Sequence, residues 1–168
     1  MTPYIYDNLL SNEKILFVAE VHSAIFLPTG IAFAGTVVFM LSALPAWGEH
    51  SYTASTTVRL NLIIAGLFLV YSVILGIQAT VVILTTEFAV TNRRVIAKTG
   101  FIKRHTLEIL LDKVESMKVR QNILGRLLGF GTVTIAGTGG TRESFKAIAD
   151  PAGVRKKINQ VTEYYVER

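Results

Sequence analysis

LNLIIAGLFLVYSVILGIQATVVILTT, residues 60–86, runs for 27 positions between Arg59 and Glu87 without a charged side chain. A second uncharged run, of 26 residues, lies between His22 and Glu49. Each exceeds the ~20 apolar residues that a helix needs to cross the hydrocarbon core of a bilayer. The pattern predicts membrane helices at 24–47 and 60–84, joined by an external loop at 48–59. A segment 1–23 precedes them and a domain at 85–168 follows. Pro28 and Pro45 fall near the ends of the first run, where helix termini have unpaired backbone groups anyway. Trp47 and Tyr52 stand where interfacial aromatics belong. Gly30 and Ala34 in the first run, and Ser72, Gly76 and Thr80 in the second, make small-residue stripes. Such stripes let helices approach closely, either within the hairpin or between copies.

The charges give the hairpin a direction. From Glu87 onward lie 15 of the 17 Lys and Arg and 8 of the 12 Asp and Glu, a net of +7. The first 23 residues hold Lys14 as their one basic side chain, and the loop before Leu60 holds Arg59. By the positive-inside tendency the C-terminal domain is expected in the cytoplasm, and two spans bring the N-terminus to the same side. The first apolar run lacks a basic leader and is too long for a signal-peptide core, so cleavage is not expected. The absence of cysteine excludes disulfides, thiolate metal sites and cysteine nucleophiles.

After Thr85 the periodicity changes to that of strands. Phe88 and Val90 alternate with Glu87, Ala89 and Thr91, and Asn92 suits a left-handed turn position. Leu107, Ile109 and Leu111 alternate, followed by Val114, Met117 and Val119, then Val133 and Ile135, then Phe145 and Ala147. Short strands between Gly and Asn turns predict an antiparallel sheet or partial barrel. Ile123–Phe130 reads as one or two helical turns with Leu124, Leu127 and Leu128 inward. Asp150-Pro151 reads as an N-cap and first helical residue. Val154, Ile158, Val161 and Tyr165 then share one face of an amphipathic helix. Residues 1–23 are an interfacial helix or a strand that docks on the domain; so short a run does not decide. The expected fold is a membrane α-helical hairpin plus an all-β half-barrel of pleckstrin-homology type, capped by a C-terminal α-helix.

Particular residues carry a family likeness. Thr-Asn-Arg-Arg at 91–94, Gly100, LGRLLGFGTV at 124–133, DPAGVR at 150–155 and Asn-Glu-Lys-Ile-Leu at 12–16 resemble the bacterial pleckstrin-homology-like two-span membrane proteins. These carry the bacterial PH domain, formerly a domain of unknown function. The resemblance covers nearly the whole chain. It implies a bacterial cytoplasmic (inner) membrane location and brings no catalytic residue, cofactor or settled ligand.

Direct searches for chemistry give little. Gly129–Gly140 is glycine-rich, but no Gly-Lys-Ser/Thr follows and no helix opens, so it reads as hairpin rather than phosphate loop. Ser11 and Lys14 match a hydrolase spacing without the rest of that machinery. His22, His50 and His105 are too scattered to share a metal, and Glu108, Asp112 and Glu115 read as a solvated edge. No ionisable residue sits in the middle of either span, which argues against an ion pathway. The best lead is the basic turn Lys98, Phe101, Ile102, Lys103 and Arg104, suited to anionic headgroups at ~1 kcal/mol per basic residue. The functional expectation is a non-enzymatic membrane-anchored adaptor, binding membrane lipids or a membrane-protein partner, with no cofactor or metal. The alternatives are a homo-oligomeric assembly and, less favoured, a membrane enzyme. Nucleic acid is not expected, because no exposed aromatic platform accompanies the basic residues.

Overall fold

The computed structural model describes residues 3–44, 52–100, 105–138 and 140–166. In chain order these form α1 (Pro3–Asp7), β1 (Ile15–Ala19), a 3-10 turn (Ser23–Phe26), α2 (Leu27–Ser42), α3 (Tyr52–Thr85), β2 (Glu87–Thr91) and β3 (Arg94–Thr99). There follow β4 (His105–Leu110), a 3-10 turn (Leu111–Lys113), β5 (Val114–Arg120), α4 (Ile123–Leu128), β6 (Phe130–Gly137), β7 (Arg142–Ala149) and α5 (Pro151–Val166). The chain divides into two compact units, Met1–Ala24 with Val81–Arg168, and Ile25–Thr80.

The first unit is a pair of antiparallel sheets, ordered β1-β2-β3-β4 and β5-β6-β7. Their facing sides supply one core, with Phe88, Val90, Val95, Leu107, Ile109, Val133, Ile135, Phe145 and Ile148 all buried. Phe88 meets Phe145 edge to face at 5.2 Å between ring centroids, joining the two sheets. The alternation of apolar residues read from the sequence falls on this inner side as far as Phe145; Ala147, at φ 54°, interrupts it, and Ile148 takes the inner position instead. Helix α5 closes the half-barrel with Val154 and Ile158, which are fully buried, each burial contributing roughly 1.5–3 kcal/mol. Its start is built as the sequence implies, with Pro151 leading and the Asp150 carboxylate accepting from the Gly153 N–H at 3.0 Å.

Residues 1–23 are part of this architecture. Strand β1 pairs with β2, Val18 opposite Ala89 and Ala19 opposite Phe88. Directly after it, Val21 bridges to Ile148, and the His22 and Ala149 amides donate to Ala147 and Glu20 carbonyls. One short segment therefore extends both sheets. Its helix α1 places Ile5 over Ala89 and Ile96 on the outer face of the first sheet. For this reason β2 is buried on both faces, where alternation alone implies one.

Two local expectations are corrected. Asn92 does not take the left-handed conformation; Asn12 does, at φ 67°, and the Asn92 side chain bonds across to it. Leu124, Leu127 and Leu128 do not point inward. They are 50%, 80% and 41% exposed, because Gly125 is the residue that α4 turns toward the sheet.

The second unit is a helical hairpin. The 3-10 turn together with α2, Ser23–Ser42, and the Ser55–Thr85 part of α3 make stretches of 20 and 31 residues that are long and apolar enough to span a membrane. Their aliphatic side chains point outward almost all round, which for a water-exposed helix would be untenable and for a membrane helix is the requirement. Helix α3 runs from Tyr52 to Thr85. At 34 residues α3 is ~51 Å long, more than the ~30 Å hydrocarbon core. The helices meet where Phe39 stacks on Phe68 at 5.6 Å and Gly35 lies under the Phe68 ring. Ser72 donates to the Thr29 carbonyl at 3.3 Å, and Gly76 packs on the Thr29 methyl.

Candidate functional site

The Thr91–Arg94 turn and the Asn12–Lys14 segment clasp each other. Thr91, fully buried at the end of β2, donates from its hydroxyl to Glu13 Oε1 at 2.8 Å. Its oxygen also accepts from the Arg93 and Arg94 amides, closing the turn. Arg94 reaches Glu13 with Nε and Nη2, each at 2.9 Å, in a bidentate fork, and Glu108 with Nη1 at 2.6 Å. Asn92 accepts from the Lys14 amide at 2.9 Å and donates to the Asn12 carbonyl. Burial raises the Glu13 pKa, but the hydrogen bonds from Arg94, the Leu10 amide and Thr91, with the Arg94 charge, outweigh it. The carboxyl is held below the ordinary glutamate range. This polar cluster is saturated by its own members, so it is a fastening rather than a reactive centre. Both motifs were visible in the sequence, but nothing in it said that they bind one another.

Of the basic turn, Lys98 is among the described residues. Lys98 sits opposite Glu87 in the β2–β3 register, with Nζ 3.5 Å from Glu87 Oε1 and 4.7 Å above the Tyr4 ring centroid. It is thus engaged within the domain. Phe101, Ile102, Lys103 and Arg104 lie outside the described residues. The register sets Lys98, near the end of β3, beside the start of β2, where the chain leaves α3. Glu87 Oε2 is buried there with no hydrogen-bond partner among the described residues.

Of the small-residue positions, Ser72 and Gly76 face α2, whereas Gly30 has no atom within 4 Å of its would-be Cβ and Ala34 is exposed. Thr80 turns its hydroxyl back to the Gly76 carbonyl at 2.9 Å. The contact side of α2 is carried by Ala32, Gly35 and Thr36 instead. Gly30 and Ala34 are left open.

A groove of about 570 Å³ runs between β5 and α5, with Glu115, Ser116 and Met117 on one wall and Arg155, Asn159 and Glu163 on the other. Strand β5 is the edge of its sheet, and among the described residues its outer side pairs with no strand. The groove therefore offers free backbone groups beside mixed charges, the combination that accepts an extended peptide.

His22 and His105 stay apart, and His50 lies outside the described residues. His22 stacks on Phe130 at 5.7 Å, and His105 contacts Glu143 at 2.8 Å. Among the described residues no three His, Asp or Glu side chains gather as a metal site. Glu108 and Asp112 are engaged with Arg94 and Lys113. The glycine-rich stretch is strand β6 and its turn into β7, with Gly137 N–H bonded to the Thr141 carbonyl.

Comparison with known proteins agrees with this architecture. The profile of the family described as Bacterial PH domain matches residues 15–162. A stretch of 49 residues is 35% identical to the UPF0699 transmembrane protein YdbT of Bacillus subtilis (strain 168). That match covers 29% of this chain and 10% of the relative, so the chain spans about a tenth of it. No solved structure matches significantly.

Proposed function

Because the chain belongs to the bacterial PH domain family, we propose that it is a non-enzymatic, membrane-anchored adaptor that presents its β5–α5 groove to an extended segment of a partner protein. The observation that carries this reading is the unpaired β5 edge running along that groove. Main-chain pairing supplies affinity in such a mode, and the Glu115, Arg155 and Glu163 charges supply selectivity. The hairpin fixes the domain at a membrane, and the excess of basic residues from Glu87 onward supports a cytoplasmic face of the bacterial inner membrane. The pairing of β1 with β2, one before and one after the hairpin, supports a common side for both ends.

The test is a photoreactive residue at Ser116 in the full chain, irradiated in native membranes, with adducts identified by mass spectrometry. A foreign protein captured by the parent and lost on Asn159→Trp, which fills the groove, is the expected result. Capture unaffected by Asn159→Trp would refute the groove as the docking site. A second reading, a homo-oligomer, rests on Gly30 and Ala34 lying open on α2. It requires self-adducts in membranes that disappear in Gly30→Leu.

A further inference from the structure

Helix α4 displays its apolar side chains to the outside. Ile123, Leu124, Leu127 and Leu128 are 87%, 50%, 80% and 41% exposed. This is a built display rather than a loose loop. The Asn122 side chain caps the helix by accepting from the Gly125 amide at 2.7 Å, and Gly129 ends it in the left-handed conformation at φ 77°. Gln121 holds the following strand by donating to the Phe130 carbonyl at 3.2 Å. At Gly125 a Cβ would come within 2.5 Å of that same carbonyl oxygen, so the helix is seated closely with its leucines turned out.

The neighbouring charge has one sign. From Ser116 to Arg142 the sequence contains no acidic residue, while Lys118, Arg120, Arg126 and Arg142 are all present. Lys118, Arg120 and Arg142, with the hydroxyls of Thr134 and Ser144, line a groove of about 310 Å³ on the outer face of the second sheet. Those hydroxyls are bonded to each other at 2.8 Å. Among the described residues no carboxylate pairs with any of the four cations.

Position selects the occupant. Phe130 follows α4 across the single residue Gly129, and its ring stacks on His22. His22 stands two residues before Ala24, where the first apolar run begins. Two residues of chain reach ~7 Å. The apolar tip therefore belongs to the end of the domain from which the chain enters the membrane.

We infer that α4 and the outer face of β5–β7 form a surface that seats the domain on its own bilayer, the α4 aliphatics entering the interface and Lys118, Arg120 and Arg126 meeting anionic phospholipid headgroups. Aliphatic side chains ringed by cations match the two layers of an anionic membrane surface. A second copy meeting α4 face to face would set Arg126 against Arg126. A nucleic acid would leave the leucines in water. The inference rests on the hairpin holding the domain at a bilayer and is independent of any partner in the β5–α5 groove.

The absence of native cysteine makes the test direct. The full chain with Leu127→Cys, or with Thr138→Cys at the far end of β6, carries one environment-sensitive fluorophore. It is reconstituted in nanodiscs of phosphatidylcholine with or without phosphatidylglycerol, containing nitroxide-labelled lipid. The expected result is a blue-shifted, lipid-quenched label at 127 in the phosphatidylglycerol discs and an unshifted, unquenched label at 138. Lys118→Glu with Arg120→Glu and Arg126→Glu is expected to abolish the shift while far-UV circular dichroism is retained. Equal exposure of the two labels would overturn the inference. So would shielding at 127 that follows a second labelled copy or added RNA instead of lipid. Quenching that survives the triple charge reversal would overturn the headgroup contact.

Discussion

A carboxylate shut away from water persists only where its charge is met, and the Glu13 side chain is met by Arg94, Thr91 and the Leu10 amide. Removing Arg94 leaves that charge buried and unpaired, so Arg94→Ala is expected to lower stability by about 3 kcal/mol. Thermal unfolding in mild detergent, followed by far-UV circular dichroism, measures it. Acid should act on the same bond. The folded pKa of Glu13 lies below its unfolded value, so the unfolded chain binds more protons through this window. The contribution is present above the ordinary glutamate value of about 4.3 and is lost as pH falls through the lower folded value. Glu13→Gln should flatten that part of the stability–pH curve; an unchanged acid limb would mean that another carboxylate governs it. At Gly125, where an added Cβ meets backbone rather than a movable side chain, Gly125→Ala is expected to cost roughly 1–3 kcal/mol by overpacking.

Among the elements, those with a strong period were legible before any coordinates. The two apolar runs, the inward alternation from Phe88 to Phe145 and the α5 stripe as far as Val161 lie where their spacing puts them, whereas Tyr165, the last of that stripe, is exposed. Helix α5 is accordingly a core element, and Ile158→Ala should cost about 2–5 kcal/mol in the same unfolding measurement. Elements whose role depends on distant sequence were not legible. Strand β1 is only five residues long, and its partner β2 lies beyond both spans. The leucines of α4 have the composition of a core and the exposure of a surface, because a single glycine occupies the inward side of so short a helix. The β5–α5 groove involves residues far apart in sequence, none of which is unusual alone. In the hairpin, two glycines of similar sequence setting differ in surroundings. Gly35→Leu should part α2 from α3, since its Cβ would meet the Phe68 ring at 2.8 Å, whereas Gly30→Leu should leave the pair intact. Cysteine crosslinking between Phe39 and Phe68 positions in membranes distinguishes the two.

At the scale of the whole molecule, the soluble domain is assembled from both ends of the chain. Its first sheet starts with a strand made before the hairpin and continues with strands made after it. The fastening of Glu13 to Arg94 spans the same separation in sequence. A ribosome therefore releases residues 15–19 long before their pairing partner exists, and that early strand must wait while both helices are delivered to the lipid. Should only one helix insert, the waiting strand and its partner would emerge in different compartments and never meet. Completion of the sheet thus acts as a receipt for correct insertion: half-inserted chains would display an unmatched strand and orphaned charges to the proteases that clear failed products.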